Sequence, residues 1–331
     1  MAFNSGSYTL IASAIATCLM TPTVLGEDSQ SPSWQLVWSD EFNGPEIDPA
    51  KWTHEINCWG GGNQERQCYT DRTENARIDE GMLVIEAHLE NSEGPAWPEA
   101  MRNTSERQNE TKAQPFTSAR LVTRGNASWQ YARIEVRAEL PRGQGTWPAI
   151  WMMPEDSVYG GWAASGEIDI MEAVNLGAPC EECPDGVEDH VHGTLHYGDH
   201  WPDNEYSGHF MSASNRAEGF HTYAIEWTPA GISWFVDGEA YLRQTPDDWH
   251  TDTWRWRKGR DAPFDQAFHL ILNFAVGGAW PERENLGGYS TENFPKTMKI
   301  DWVRVYQCMN ADGGSANSVE CETAPDAPGL P

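Results

Sequence analysis

The segment Ser165-Gly-Glu167-Ile-Asp169-Ile-Met-Glu172-Ala-Val interleaves three acids with large apolar residues, so one side of it is acidic and the other is core. Paired carboxylates of this kind can divide nucleophile and acid/base work between them. A helix would set positions 167 and 172 about 140° apart, too far for one site. A regular strand puts Glu167 and Asp169 on one face and turns Glu172 to the other. One extra residue in a β-bulge near Ile170-Met171 restores the phase and brings all three acids to one face. Glu167 and Glu172 are then about 13 Å apart at Cα. Inward-leaning side chains leave about 5 Å between the carboxyls, the separation a retaining glycosidase uses. The competing readings are a solvated acidic strand face and a calcium site. Surface charge needs neither the apolar neighbours nor a bulge, and calcium asks for a turn-rich oxygen cage rather than a strand.

The elements that must hold these acids read as β. Ile134, Val136 and Ala138 alternate with Arg133, Glu135, Arg137 and Glu139, and Leu83, Ile85 and Ala87 alternate with Val84 and Glu86. Ile232, Trp234 and Val236 run into Asp237-Gly238, a hairpin signal. Phe268 to Val276 is apolar on both faces, as a strand within a sandwich is. Many strands separated by Gly/Pro turns predict an all-β, antiparallel jelly-roll β-sandwich.

The chain has 331 residues, a formal net charge of −28 and 17 Trp. That charge repels nucleic acid and anionic membrane surfaces. No apolar run reaches the roughly 18–20 residues of a membrane span. Trp suits ligand stacking better than complete burial. Residues 1–26 carry no charge and read as a signal peptide, with Cys18 as a lipoprotein alternative. Removing them leaves six Cys, an even number suited to an oxidising compartment and so to a secreted protein. Nearest neighbours pair as Cys58 with Cys68 and Cys308 with Cys321. Cys180 and Cys183 read as a local disulfide or free thiols rather than a metal or redox centre. Residues 91–114 read as an inserted surface loop. The expected organisation is 1–26 leader, 33–308 catalytic domain and 309–331 flexible tail. His190, His192 and His196 alternate in phase, but no acidic fourth ligand completes a zinc set.

Further motifs give the segment its setting. They are Trp38-Ser-Asp-Glu-Phe-Asn, Tyr69-Thr-Asp-Arg-Thr-Glu-Asn-Ala-Arg and Phe116-Thr-Ser-Ala-Arg-Leu-Val-Thr-Arg-Gly. Later in the chain come Gly143-Gln-Gly-Thr-Trp-Pro-Ala-Ile-Trp-Met-Met-Pro, His192-Gly-Thr-Leu-His-Tyr-Gly, Phe220-His-Thr-Tyr-Ala-Ile-Glu-Trp-Thr-Pro and Asn273-Phe-Ala-Val-Gly-Gly-Ala-Trp. In this order they resemble the laminarinase branch of glycoside hydrolase family 16, endo-acting β-1,3-glucanases, over residues 34–307. The resemblance implies a concanavalin A-like sandwich with a substrate cleft across its concave sheet. It implies Glu167 as nucleophile, Glu172 as general acid/base and Asp169 as the group that holds and polarises the nucleophile. The bulged spacing matches laminarinases and several galactanases rather than mixed-linkage glucanases.

By the same resemblance Trp147, Trp151 and Trp162 form a sugar track, with Trp280 at the rim. His192 is then the cleft histidine that hydrogen-bonds near the acids, and Asn63 and Arg120 bind hydroxyls. The run from Gly62 to Tyr69 departs from the family's usual Asn-Glu-Leu-Gln-Tyr-Tyr. Relatives' structural Ca²⁺ would map to Glu41, Gly81 and Asp301, with a buried hydrogen-bonded Asp301 as the alternative. No cofactor is implied for catalysis. The implied protein is a monomer acting on β-1,3-glucan. A galactanase of the same family (agar, carrageenan or porphyran) and a non-catalytic glucan-binding lectin are the rival readings. Sulfated substrates would ask for basic side chains in the cleft, where the whole chain has 22 Lys+Arg.

Overall fold

The computed structural model describes residues 1–2, 31–212, 218–252 and 260–330. The chain divides into Met1–Gln30 and Ser31–Pro331, and the expected leader lies outside the described residues beyond its first two. All the described strands belong to the larger unit.

Alternation becomes layers here. In the strand Arg133–Glu139, Ile134, Val136 and Ala138 are fully buried while the charged residues between them are partly exposed. This strand sits in a ten-stranded sheet running Glu239–Gln244, Gly231–Val236, His221–Thr228, Arg133–Glu139, Lys296–Met309, Met82–Pro95, Thr111–Ser118 and Gln67–Tyr69. Ser33–Asp40 and Ala76–Asp79 add to Lys296–Met309 and Met82–Pro95. The second sheet has seven strands: Asn204–Ser212, His190–Gly198, Glu167–Glu172, Thr146–Pro154, Phe268–Val276, Arg120–Val122 and Thr53–His54. The described strands pair antiparallel except Gln67–Tyr69 with Thr111–Ser118.

Between the sheets lies one core. Ile85, Ile134, Ile225 and Trp234 from the ten-stranded sheet meet Ile150, Ile168, Leu195, Leu270 and Phe274 from the other. Each such side chain removed from water is worth about 1.5–3 kcal/mol. Phe268–Val276 is buried along its whole length, as its apolar run requires. Asp237 and Gly238 both take positive φ, the hairpin turn their types favour.

Two regions differ from the sequence reading. Residues 91–114 are not a simple loop: Met82–Pro95 and Thr111–Ser118 pair as long antiparallel strands that carry a short helix, Ser105–Asn109, at their far end. Thr104 caps that helix by accepting from the Arg107 amide. The strand after Lys296 continues to Met309, and the chain beyond it is tied down rather than free. Cys308–Cys321 closes a loop, Thr323 hydrogen-bonds Glu226, and Glu322 pairs with Arg243 at 3.1 Å. The segment expected as a flexible tail is thus anchored by a disulfide and by the buried Glu226 carboxylate. Cys58–Cys68 and Cys180–Cys183 are also bonded.

Candidate active site

The acid strand carries the irregularity its spacing demands. Against Thr146–Pro154, Asp169 pairs with Trp151 and Met171 with Ile150, so Ile170 is the extra residue. Against His190–Gly198, Glu167 opposes His196, Asp169 opposes Thr194 and Glu172 opposes His192. Those partners alternate by two, so the three acids share a face, and Ile168, Ile170 and Met171 are buried. A bulge leaves ladder groups unpaired. Here the indole N–H of Trp234, from the opposite sheet, donates to the Asp169 carbonyl at 2.8 Å. The approach depends on Gly193, where a Cβ would lie 2.5 Å from the Trp234 ring and 2.6 Å from the Tyr241 hydroxyl.

Each glutamate is held by an indole. Trp162 Nε1 donates to Glu167 Oε2 at 2.8 Å, and Trp147 Nε1 donates to Glu172 Oε1 at 3.0 Å. Asp169 is 2 % exposed, and its Oδ2 lies 3.4 Å from His196 Nε2 but off the line of a hydrogen bond. The same nitrogen is 3.7 Å from Glu167 Oε1. The His196 ring lies between Trp162 and Tyr206, with centroids 5.6 and 5.7 Å away.

Burial raises both glutamates. Burial, and then the neighbouring Asp169 carboxylate, pushes Glu172 up to about 8, further than the favourable His196 charge and Trp147 bond can offset. The same two causes raise Glu167 only to about 7, because His196, Trp162 and Arg120 favour its ionised form. Burial opposes a charge on His196, yet contact with Asp169 and the nearby glutamates carries it to about 9. Burial lowers His192 to about 4, helped by His190. His196 is therefore the cation beside the acids and His192 a neutral ring. His192 stands directly across from Glu172 and lines the same cleft, where it packs against Trp280, 4.9 Å between centroids. Both histidines share a phase in the sequence, and only the strand register decides which one meets Glu167.

The remaining residues line a cleft. One part holds Asn63, Arg120, Trp147, Trp151 and the three acids. The wider part, of about 710 Å³, holds Trp147, Trp162, Glu167, Glu172, His192, His196 and Trp280. Trp280 meets Trp147 edge-on at 5.5 Å. Trp151 is not a bare platform: its indole N–H donates to Asn273 at 2.6 Å, and the Arg120 guanidinium lies 4.6 Å over its ring. Arg120 also sits 3.1 Å from Glu55. Sequence reasoning passed over Glu65, buried in this wall, accepting from Gln67 at 2.6 Å and from Tyr69 at 3.4 Å. Burial raises its pKa. Its signal was an acid inside the segment that departs from the family pattern.

The calcium expectation does not fit the donors. Both Glu41 oxygens accept from Arg304, at 2.9 and 2.8 Å, and Asp301 is bound by Arg137. Gly81 lies near the Asn43 side chain instead. Arginine has taken the place a cation would hold. Among the described residues, the histidine–acid groups close enough to share an ion are Glu167, Asp169 and His196, and Glu188, Asp189 and His190.

Two packed sheets with an acidic, tryptophan-walled cleft on one of them define a polysaccharide-binding sandwich armed with carboxylates. The domain model described as "Beta-porphyranase A-D, GH16 domain" matches residues 34–308. A beta-glucanase from Rhodothermus marinus is 44% identical over 305 residues, covering 88% of this chain and 93% of the relative. The glucan endo-1,3-beta-glucosidase of Cryptopygus antarcticus is 36% identical, over 82% of this chain and 92% of that one. The solved laminarinase from Rhodothermus marinus matches with a TM-score of 0.65 at 42% identity, covering 84% of this chain and 99% of that structure. The chain belongs to glycoside hydrolase family 16. Among the described residues no helix is long and apolar enough to cross a membrane.

Proposed function

We propose that this chain is a secreted, monomeric endo-β-1,3-glucanase that works by double displacement with retention. The observation that carries the reading is the bulge at Ile170, which sets Glu167 and Glu172 on one face. Glu172 donates its proton to the glycosidic oxygen as the bond to the anomeric carbon breaks. Glu167, ionised, attacks that carbon and forms a glycosyl ester. Glu172, now a carboxylate, takes a proton from water, and the water oxygen displaces Glu167. Asp169 holds His196 charged beside the nucleophile, and that cation partly offsets the Asp169 carboxylate's own opposition to an ionised Glu167. Two carboxyls supply all the proton and nucleophile chemistry, so no cofactor takes part.

The glucan assignment draws on the named activities of the Rhodothermus and Cryptopygus relatives. The porphyranase description of the matching domain model supports a second reading, a galactanase on the same machinery. Laminarin, lichenan and agarose tested side by side separate the two. On the preferred substrate, Glu167→Gln and Glu172→Gln each lower kcat by at least about 10²–10⁴-fold. NMR of the first product shows the β-anomer. A fully active variant, or an initial α-anomer, overturns the mechanism.

A further inference from the structure

The register of the cleft sheet arranges its outward residues in three lanes that cross the strands. One lane runs Glu167, His196, Tyr206, and another runs Ala149, Glu172, His192, Phe210. The lane between them runs Trp151, Asp169, Thr194, Gly208. Side chains shrink along this middle lane, from indole to carboxylate to threonine to none. Gly208 must lack a side chain, because a Cβ there would lie 2.5 Å from the Gly193 carbonyl oxygen and 2.9 Å from Thr194 Oγ1. The result is a trough that passes between the two glutamates and leaves over the sheet's last strand.

That last strand, Asn204–Ser212, pairs within its sheet with His190–Gly198 and stands at the end of the described strand order. Two of its odd-numbered residues turn inward: Ser207 bonds Gln244, and Met211 packs on the core. Tyr206, Gly208 and Phe210 face the cleft, and two of them are large and open, Tyr206 at 73 % and Phe210 at 45 % exposure. Exposed aromatics beside a cleft mark contact surface. They are four residues apart, about 13 Å along a strand, with Gly208 between them. Tyr206 continues the His196 ring at 5.7 Å, and Phe210 continues the His192 ring at 5.7 Å.

We propose that Tyr206 and Phe210 are the walls, and Gly208 the floor, of an outlying sugar-binding shelf that holds glucan residues distal to the bond being cut. This rests on the β-glucanase reading for the identity of the chain it holds. The occupant follows from continuity: the trough leads straight from Glu167 and Glu172, so whatever polymer is cut there must leave along it. Pyranose rings carry apolar C–H faces that pack on aromatic rings. Tyr206 and Phe210 reach no reacting atom, so they act on binding and not on the chemical step.

The test compares kcat/KM on long laminarin with that on the shortest laminari-oligosaccharide the wild type cuts. In the Tyr206→Ala/Phe210→Ala double variant the polymer-to-oligomer ratio falls about tenfold, equivalent to about 1.4 kcal/mol shared by the two ring contacts. Tyr206→Phe, which keeps the ring, retains the ratio. An unchanged ratio in the double variant overturns the shelf, including the case where damage to the fold lowers both rates together. If the wild type leaves laminarin intact, the glucan reading fails on its own. The same ratio is then measured on the galactan it cuts, where an unchanged value still rejects the shelf.

Discussion

Carboxylates on the two sheets of this sandwich live in opposite worlds. On the ten-stranded sheet, and at Glu41 just past its strand Ser33–Asp40, acid after acid meets an arginine: Glu41 with Arg304, Asp301 with Arg137, Glu135 with Arg133 and Glu86 with Arg77. The Arg304 hydrogen bonds hold the Glu41 carboxyl below its usual range. On the seven-stranded sheet Glu167 and Glu172 receive indole N–H groups instead, and His196 sits within 4 Å of both Glu167 and Asp169. Indole supplies a hydrogen bond without a full charge, so burial prevails and both glutamates rise. The same side chain becomes a structural anion or a proton carrier according to which donor the opposing strand presents.

The sharpest way to break this contrast is to remove the histidine cation beside the acids. His196→Gln withdraws a positive charge that favours ionised Glu167 and Glu172, so both titrate higher. Activity needs Glu167 ionised and Glu172 protonated, so both limbs of the pH–rate bell move to alkaline pH. A shift of about one unit lowers kcat/KM about tenfold on the acid limb. An unmoved bell shows that His196 does not set the charge state.

A second test reads stability. Glu172 is raised from 4.5 to about 8 by folding. Its contribution is fully present below pH 4.5 and is lost as pH rises through about 8, where the fold must accept a buried charge. Glu172→Gln therefore raises Tm at pH 8 and leaves it nearly unchanged at pH 4, each recovered kcal/mol appearing as about 2–4 °C. Calorimetry at the two pH values checks it, and equal shifts at both would place the effect in packing.

The smallest effect belongs to the other sheet. Arg304→Met breaks a half-exposed pair worth about 0–1 kcal/mol, so chemical denaturation shifts little. Added EDTA leaves the wild-type Tm where it was, since arginine already satisfies Glu41. A chelator-induced fall in Tm restores the calcium reading.

How much of the molecule was legible before the structure depends on which interactions are local. Strand type, the sandwich and the extra residue near Ile170 follow from side-chain parity within single segments. Register does not: His192 and His196 have one parity, and only the pairing of Glu167 with His196 separates cation from neutral ring. The arginine partners of Glu41 and Asp301 come from distant strands for the same reason. The tail differs because composition reports backbone freedom, whereas Thr323 is captured by Glu226, a residue far earlier in the chain.

The kink at Ile170 is fastened from behind, by Trp234 reaching through the gap at Gly193. The two layers are thus a single working part. Transplanting the cleft-bearing layer onto a foreign backing without that bolt would return a well-folded but chemically silent sandwich, its acid ribbon straightened and Glu172 turned into the oil.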